Sequence, residues 1–314
     1  MLDSLSALIV AEAPRIGFDG CGISQADFLK TDSIHTETWL AEGCQGTMSY
    51  LERNREKRYD PRLLVERTKS IISVIYNYFP IEKLGDNDNF HIAKYVYGAD
   101  YHDVLKSKLR ELLDFIETET GKLEGTRLFV DSAPVLDRAW AARCGLGFIG
   151  KNTNLIHPKK GSFFFIGHIF LPIEIEPVGK TIPNHCGTCT KCLDACPTGA
   201  LDHPFHINAR KCISYLTIEH KGTIDAIEKT KFNDWIYGCD ICQDVCPYNR
   251  FSMANKEPLF QPSERLKTMR KADWQQLDDI TFKELFVKSA VKRAGFEGLR
   301  RNIEFISKET ECYR

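Results

Sequence analysis

Eight of the chain's twelve cysteines fall in two runs whose spacing is suited to holding iron–sulfur cubanes. The first is Cys186-x2-Cys189-x2-Cys192-x3-Cys196-Pro197, and the second is Cys239-x2-Cys242-x3-Cys246-Pro247, with Cys212 upstream to supply the missing ligand. The first spacing is that of bacterial ferredoxins, in which three thiolates converge on one cluster and the fourth reaches across to the other. Cys186, Cys189, Cys192 and Cys246 are therefore assigned to one [4Fe–4S] cluster, and Cys196, Cys212, Cys239 and Cys242 to a second. Such centres move electrons singly. A structural zinc site also uses CxxC pairs, but it leaves the third cysteine of the triplet and the paired Cys-Pro endings without a role. Cys21, Cys44, Cys144 and Cys312 lie outside both runs and read as packing residues.

The segment preceding the cysteines reads as an α+β unit. Leu5, Leu8, Ile9 and Ala13 have helical spacing, in a stretch with no basic region or long apolar core of a signal peptide. Ser70–Tyr78 is β-branched and apolar, as a buried strand should be. Leu105, Leu109, Leu112, Leu113 and Ile116 mark a helix over Asp103–Glu119. Leu128–Val130 reads as a short strand. A helix over Ala133–Arg143 follows, capped by Ser132, with Pro134 in its first turn and Gly145 or Gly147 past its end. Ser162–Leu171 is a second buried strand. The texture changes near Pro177, His185–Arg250 is cysteine-dominated, and Lys283–Ile303 reads as a basic helical stretch.

A chain of 314 residues with 43% hydrophobic and 27% charged residues is globular in composition. Its formal net charge of −1 gives no global nucleic-acid signature, so any such surface is local. No run approaches the roughly 18 apolar residues of a membrane span. Twelve cysteines without a secretory signal indicate metal rather than disulfides, and a reducing cytoplasm.

Other motifs are weaker. Gly145–Gly150 (GLGFIG) matches GxGxxG, but it follows an expected helix, where a dinucleotide fingerprint follows a strand. Asp100-Tyr101-His102 begins like the DxHxxG motif that places a histidine on cobalt, but Leu105 replaces the glycine. No Walker A, HExxH or GxSxG pattern is present.

Several segments together resemble epoxyqueuosine reductase. They are Gly46–Pro61 (GTMSYLERNREKRYDP), Asp100–His102, Val130–Asn152 (VDSAPVLDRAWAARCGLGFIGKN), the Cys186–Pro197 run, Cys212–Gly222 (CISYLTIEHKG), Gly238–Asn249 (GCDICQDVCPYN) and Ser289–Asn302 (SAVKRAGFEGLRRN). The resemblance covers nearly the whole chain. It implies a nitroreductase-like cobalamin domain over 1–178, a ferredoxin-like two-cluster domain over 179–255 and a short basic helical segment over 256–314. It also implies kinship with reductive dehalogenases, and a short form lacking the long C-terminal helical repeats. The implied activity is the reduction of epoxyqueuosine to queuosine at the tRNA wobble position. Electrons would pass from a low-potential donor through the clusters to cobalamin bound base-off, without a protein histidine on cobalt. Epoxide reduction also needs a proton, so that oxygen leaves as water.

By resemblance that proton comes from Asp131. The residues alone leave open whether Asp131 is merely a helix cap. They also leave open whether helix-end stabilisation of its carboxylate outweighs burial against a corrin. Asp137 is the alternative acid, or a partner of Arg138. Arg58, Lys94, Tyr101, His102 and Arg138 are expected in the pocket, Leu155 and Ile166 along the corrin, and Ser214 between cluster and cobalamin. Lys288, Lys292, Arg293, Arg300 and Arg301, backed by His220 and Lys221, are the expected tRNA patch. A monomer is expected. The competing readings are a dehalogenase-like cobalamin reductase and a non-enzymatic electron-transfer or cobalamin-handling protein.

Overall fold

The computed structural model describes residues 4–84, 88–224 and 229–307; Cys312 lies outside them. Four strands, β1 (Gly20–Gln25), β2 (Ser70–Asn77), β4 (Arg127–Phe129) and β7 (Phe164–Leu171), form an antiparallel sheet in the order β1-β2-β7-β4. The two apolar runs are its central strands, registered from Ser70 opposite Leu171 to Asn77 opposite Phe164. Their side chains alternate between two covered faces, which is why both runs are almost continuously apolar.

On one face Ile9 and Ala13 of the Leu5–Ile16 helix, with Leu105, Leu109, Leu112 and Ile116 of the Tyr101–Thr120 helix, pack on Ile72, Val74 and Ile169. On the other, Trp140 of the Asp137–Arg143 helix packs on Ile71 and Phe170, while Ala141 and Cys144 pack on Ile75. The helix therefore begins at Asp137, not at Ala133, and Ser132 caps nothing. Pro134 disfavours the α conformation at Ala133, and the loop instead carries Val135 into the Trp140 cluster.

Gly145, at φ +75°, turns the chain away after this helix as expected, where a side chain would run into the backbone of Gly179 and Lys180. The GLGFIG run then enters a hairpin of β5 (Phe148–Ile149) and β6 (Leu155–Ile156). A helix precedes the glycines and a hairpin follows, so the dinucleotide geometry is absent.

The basic C-terminal stretch is not one helix. It is divided into Asp279–Leu285, a 3-10 turn at Ala290–Arg293 and Gly295–Ser307. Ser289 caps the turn, Val291 anchors it in the core, and Gly295 breaks the path at φ +75°. In the cysteine region β8 (Trp235–Tyr237) pairs in parallel with β3 (His91–Ile92). Phe90, Ile92 and Tyr97 share a core with Ile236, Tyr237, Trp274, Phe286 and Leu299. The N-terminal segment thus supplies one wall of the C-terminal core. Among the described residues no helix is long and apolar enough to cross a membrane.

Candidate active site and cluster sites

Each CxxC pair leads into a single helical turn, Lys191–Asp194 or Ile241–Asp244, that gathers thiols separated by only a few residues. Cys186, Cys189, Cys192 and Cys246 line one cavity of about 230 Å³ together with Lys151, His185 and Tyr248. Burial raises the thiol pKa of Cys192 and Cys246, and neighbouring thiols of that same quartet add to the shift. Burial likewise raises Cys239 and Cys242, with Cys212 pressing on both and Cys196 on Cys239. Thiols crowded this way favour a cation-rich centre that takes them as thiolates.

The Lys151–Asn154 turn of the β5–β6 hairpin touches both groups. The Lys151 amide donates to Cys186 Sγ at 3.5 Å, and its ammonium donates to the carbonyls of Gly187 and Cys189. Asn154 Nδ2 approaches Cys242 Sγ at 4.0 Å, and Asn152 donates to the Cys242 carbonyl. Sequence reasoning rejected the glycine run as a dinucleotide loop but did not foresee this contact.

Asp131 lies just past edge strand β4, after the fully buried Val130. Its φ of +49° is a left-handed conformation that aspartate and asparagine tolerate better than most residues. Tyr101, at the start of its helix, donates to Asp131 Oδ2 at 2.5 Å. The phenol is held by Phe165, whose ring lies parallel at 4.3 Å, and by His102 on its other side. Asp131 and Arg138 stay open to solvent while protein crowds around them, as befits groups lining a deep cleft. Desolvation, reinforced by Asp137, raises the Asp131 pKa against the opposing pull of Tyr101, His102 and Arg138. No helix starts at Asp131, so the helix-end effect weighed from sequence does not operate.

Asp137 pairs differently from the expectation. Its carboxylate lies 3.2 Å from Nε2 of the fully buried His168, whose Nδ1 meets Ser73 Oγ at 2.9 Å. Arg138 instead donates to the carbonyl and hydroxyl of Thr153. Ser73 and His168 are direct partners across β2 and β7, and no local motif announces that pairing.

The remaining expected site residues divide by what their side chains already hold. Arg58 is 8% exposed and its Nε has no partner, leaving a buried donor available to a ligand. Leu155 and Ile166 belong to the cluster around Ile75 and Cys144, beneath the hairpin. Ser214 is the second residue of the Ile213–Ile218 helix that Cys212 precedes. Lys94, expected at the cofactor, is instead committed to Asp240 at 3.2 Å and Asp244 at 2.7 Å, beside the second cysteine run. His102 Nδ1 is taken by Asp100, which caps the helix, and the His102 ring stacks on Tyr101, so the DYH segment positions Tyr101.

On the expected tRNA face, Lys288 and Lys292 are exposed. Arg293 is paired with Glu219, and Arg300 with Glu297. His220 reaches the Thr223 carbonyl, and Lys221 the carbonyls of Ile218 and Arg293. Arg301 points inward, donating to the carbonyls of Leu216, His220 and Gly222 and to Asn302. Its guanidinium is spent on the fold, not offered to phosphate.

Comparison with known proteins agrees with this arrangement. Residues 185–249 match a family described as a 4Fe-4S double cluster binding domain, and residues 58–132 match "Epoxyqueuosine reductase QueG, DUF1730". The chain is 50% identical over 301 residues to epoxyqueuosine reductase of Cellulophaga algicola, covering 96% of this chain and 97% of that one. An epoxyqueuosine reductase crystallised with an epoxyqueuosine-modified tRNA-Tyr stem loop superposes with a TM-score of 0.87 at 32% identity, covering 96% of this chain and 80% of that one. The Bacillus subtilis enzyme, with the catalytic loop bearing its aspartate swung out of the active site, superposes at 0.86 and 33% identity over the same shares. The chain belongs to the epoxyqueuosine reductase family.

Proposed function

We propose that this chain reduces epoxyqueuosine to queuosine in the anticodon of tRNA, with Asp131 delivering the proton that releases the epoxide oxygen. The observation that carries the reading is the Tyr101–Asp131 pair, with Arg138 beside it reaching Thr153 of the turn that touches both cysteine quartets. The 50% identical reductase relative favours it over a dehalogenase or a bare electron carrier. Opening an epoxide to an alkene consumes two electrons and two protons and releases water.

Cys186, Cys189, Cys192 and Cys246 hold one [4Fe–4S] cluster, and Cys196, Cys212, Cys239 and Cys242 hold the other, within the double-cluster match. When bound, cobalamin supplies a cobalt centre that gathers single electrons into the pair the reaction needs. The donor set fits a corrinoid bound without a protein histidine on cobalt, to which Arg58 offers an orphaned buried N–H. Leu155 and Ile166 of a nitroreductase-like domain over 1–178 and Ser214 of the cluster domain over 179–255 complete the contacts, and the basic segment over 256–314 follows.

Asp131 acts as an acid because desolvation by the protein crowded around it, and the charge of Asp137, hold its proton on at higher pH than usual. Tyr101 holds the carboxyl in place, and Phe165 holds Tyr101. Phosphate contacts come from Lys292, Arg293 and Arg300, with His220 and Lys221 alongside, in a monomeric cytoplasmic enzyme fed by a low-potential donor. The test is anaerobic incubation of cluster-replete, cobalamin-loaded protein with reductant and an epoxyqueuosine anticodon stem-loop. Queuosine should form; none, with both cofactors present, overturns the proposal.

A further inference from the structure

Cys44 reads from the sequence as a packing cysteine. It is 4% exposed, in the turn after the Lys30–Ala41 helix, and its thiol faces Glu42 and His206. Glu42 Oε2 and His206 Nε2 lie 3.1 Å apart, Cys44 Sγ lies 3.6 Å from His206 Nε2, and Cys44 Sγ lies 3.8 Å from Glu42 Oε2. A tetrahedral zinc with ordinary bond lengths separates its nitrogen and oxygen ligands by about 3.3 Å, and sulfur from either by about 3.6 Å. The three atoms therefore form a triangle with nearly the edges of one face of such a site.

The other nitrogen of His206 strengthens the match. Nδ1 lies 2.7 Å from Asp202 Oδ1, where the carboxylate accepts its N–H, and in that tautomer the Nε2 lone pair faces Glu42 and Cys44. A carboxylate behind a histidine is the usual arrangement for orienting a metal-binding imidazole. Three electron-rich atoms then face one another, and a cation at their centre resolves the repulsion. His203, paired with Asp202 and stacked on His206 at 4.3 Å, stiffens the ring.

The surroundings are rigid enough to hold the triangle. The Cys44 carbonyl accepts from the Ala209 amide at 2.9 Å, and Trp39 Nε1 donates to the Ile207 carbonyl at 2.6 Å. Nearby, Gly46 sits at φ +61° against the Tyr215 ring, whose hydroxyl meets the Thr47 amide at 2.7 Å. All these contacts join the N-terminal segment to the stretches on either side of Cys212.

We infer that Glu42, Cys44 and His206 bind a divalent cation of the zinc class, oriented by Asp202. The ion takes water in its fourth position on the exposed Glu42 side and fastens the segment before Cys212 to the N-terminal unit. Binding releases the Cys44 proton and leaves the metal's oxidation state unchanged.

The test uses cluster-replete full chain, dialysed anaerobically against zinc chloride and measured for zinc and iron together, with the zinc X-ray absorption edge recorded. The expected result is about one zinc per chain with a single sulfur near 2.3 Å and the remaining ligands near 2.0 Å. Cys44→Ser should lose that sulfur and His206→Ala the zinc, with iron unchanged. Equal zinc in wild type and His206→Ala, or an all-sulfur environment, overturns the inference. If His206→Ala also loses iron, Asp202→Asn decides, because it leaves all three ligands in place. A 10- to 100-fold weaker zinc affinity with iron intact supports the site, and an unchanged affinity overturns it.

Discussion

Asp131→Asn isolates the charge of the proposed acid, since asparagine accepts the same positive φ. Turnover should fall at least 100-fold, a typical contribution of general acid catalysis, while cluster absorbance and tRNA affinity stay at wild-type levels. In the wild type, turnover should decline as pH rises through the raised Asp131 value, because the acid must carry its proton. The stability sign follows from the same shift. A folded value above the unfolded value of about 3.9 means that folding loses stability as pH rises between the two. Thermal scans should therefore show Asp131→Asn gaining on wild type as pH climbs through that interval. Asp131 was legible through its motif, but its immediate surroundings were not. Its Tyr101 partner comes from the distant start of the Tyr101–Thr120 helix, and the approach of Asp137 to His168 and Ser73 depends on the register of β2 against β7.

At the scale of elements, hydrophobic period located the central strands and the long helix, because burial on one or both faces is what that period encodes. It missed what punctuation and capping decide. Pro134 delays a helix to Asp137, and Gly295 with Ser289 divides a basic run that composition alone reads as continuous. That division turns Arg301 inward, onto the carbonyls of Leu216, His220 and Gly222. Arg301→Ala should cost about 2–3 kcal/mol of folding stability in denaturant titrations, because charge-assisted hydrogen bonds to those carbonyls disappear, and leave the salt dependence of tRNA binding unaltered. Lys292→Glu with Arg300→Glu should do the reverse. Stability should change little, while affinity drops and the log–log salt slope shrinks by about 0.7–0.9 for each phosphate that is no longer neutralised. An unchanged slope would remove both residues from the interface.

Across the whole molecule, the cysteine pattern announced the clusters because their ligands lie close in sequence, whereas the packing between units is scattered along the chain. Residues 90–97 build a core with the C-terminal helices, and Lys94 crosses from the N-terminal unit to Asp240 and Asp244 beside the second cysteine run. Lys94→Met leaves the buried Asp240 without its cation and should cost about 3–5 kcal/mol, seen as a lowered unfolding midpoint with earlier loss of cluster absorbance. In the proposed mechanism, electron supply, proton supply and substrate grip come from segments that only folding brings together. The most direct test of that account is single-turnover queuosine formation by wild type and Asp131→Asn, matched for iron, cobalamin and bound anticodon stem-loop. The account predicts queuosine from wild type and almost none from the variant; equal rates, or no product from fully loaded wild type, would contradict it.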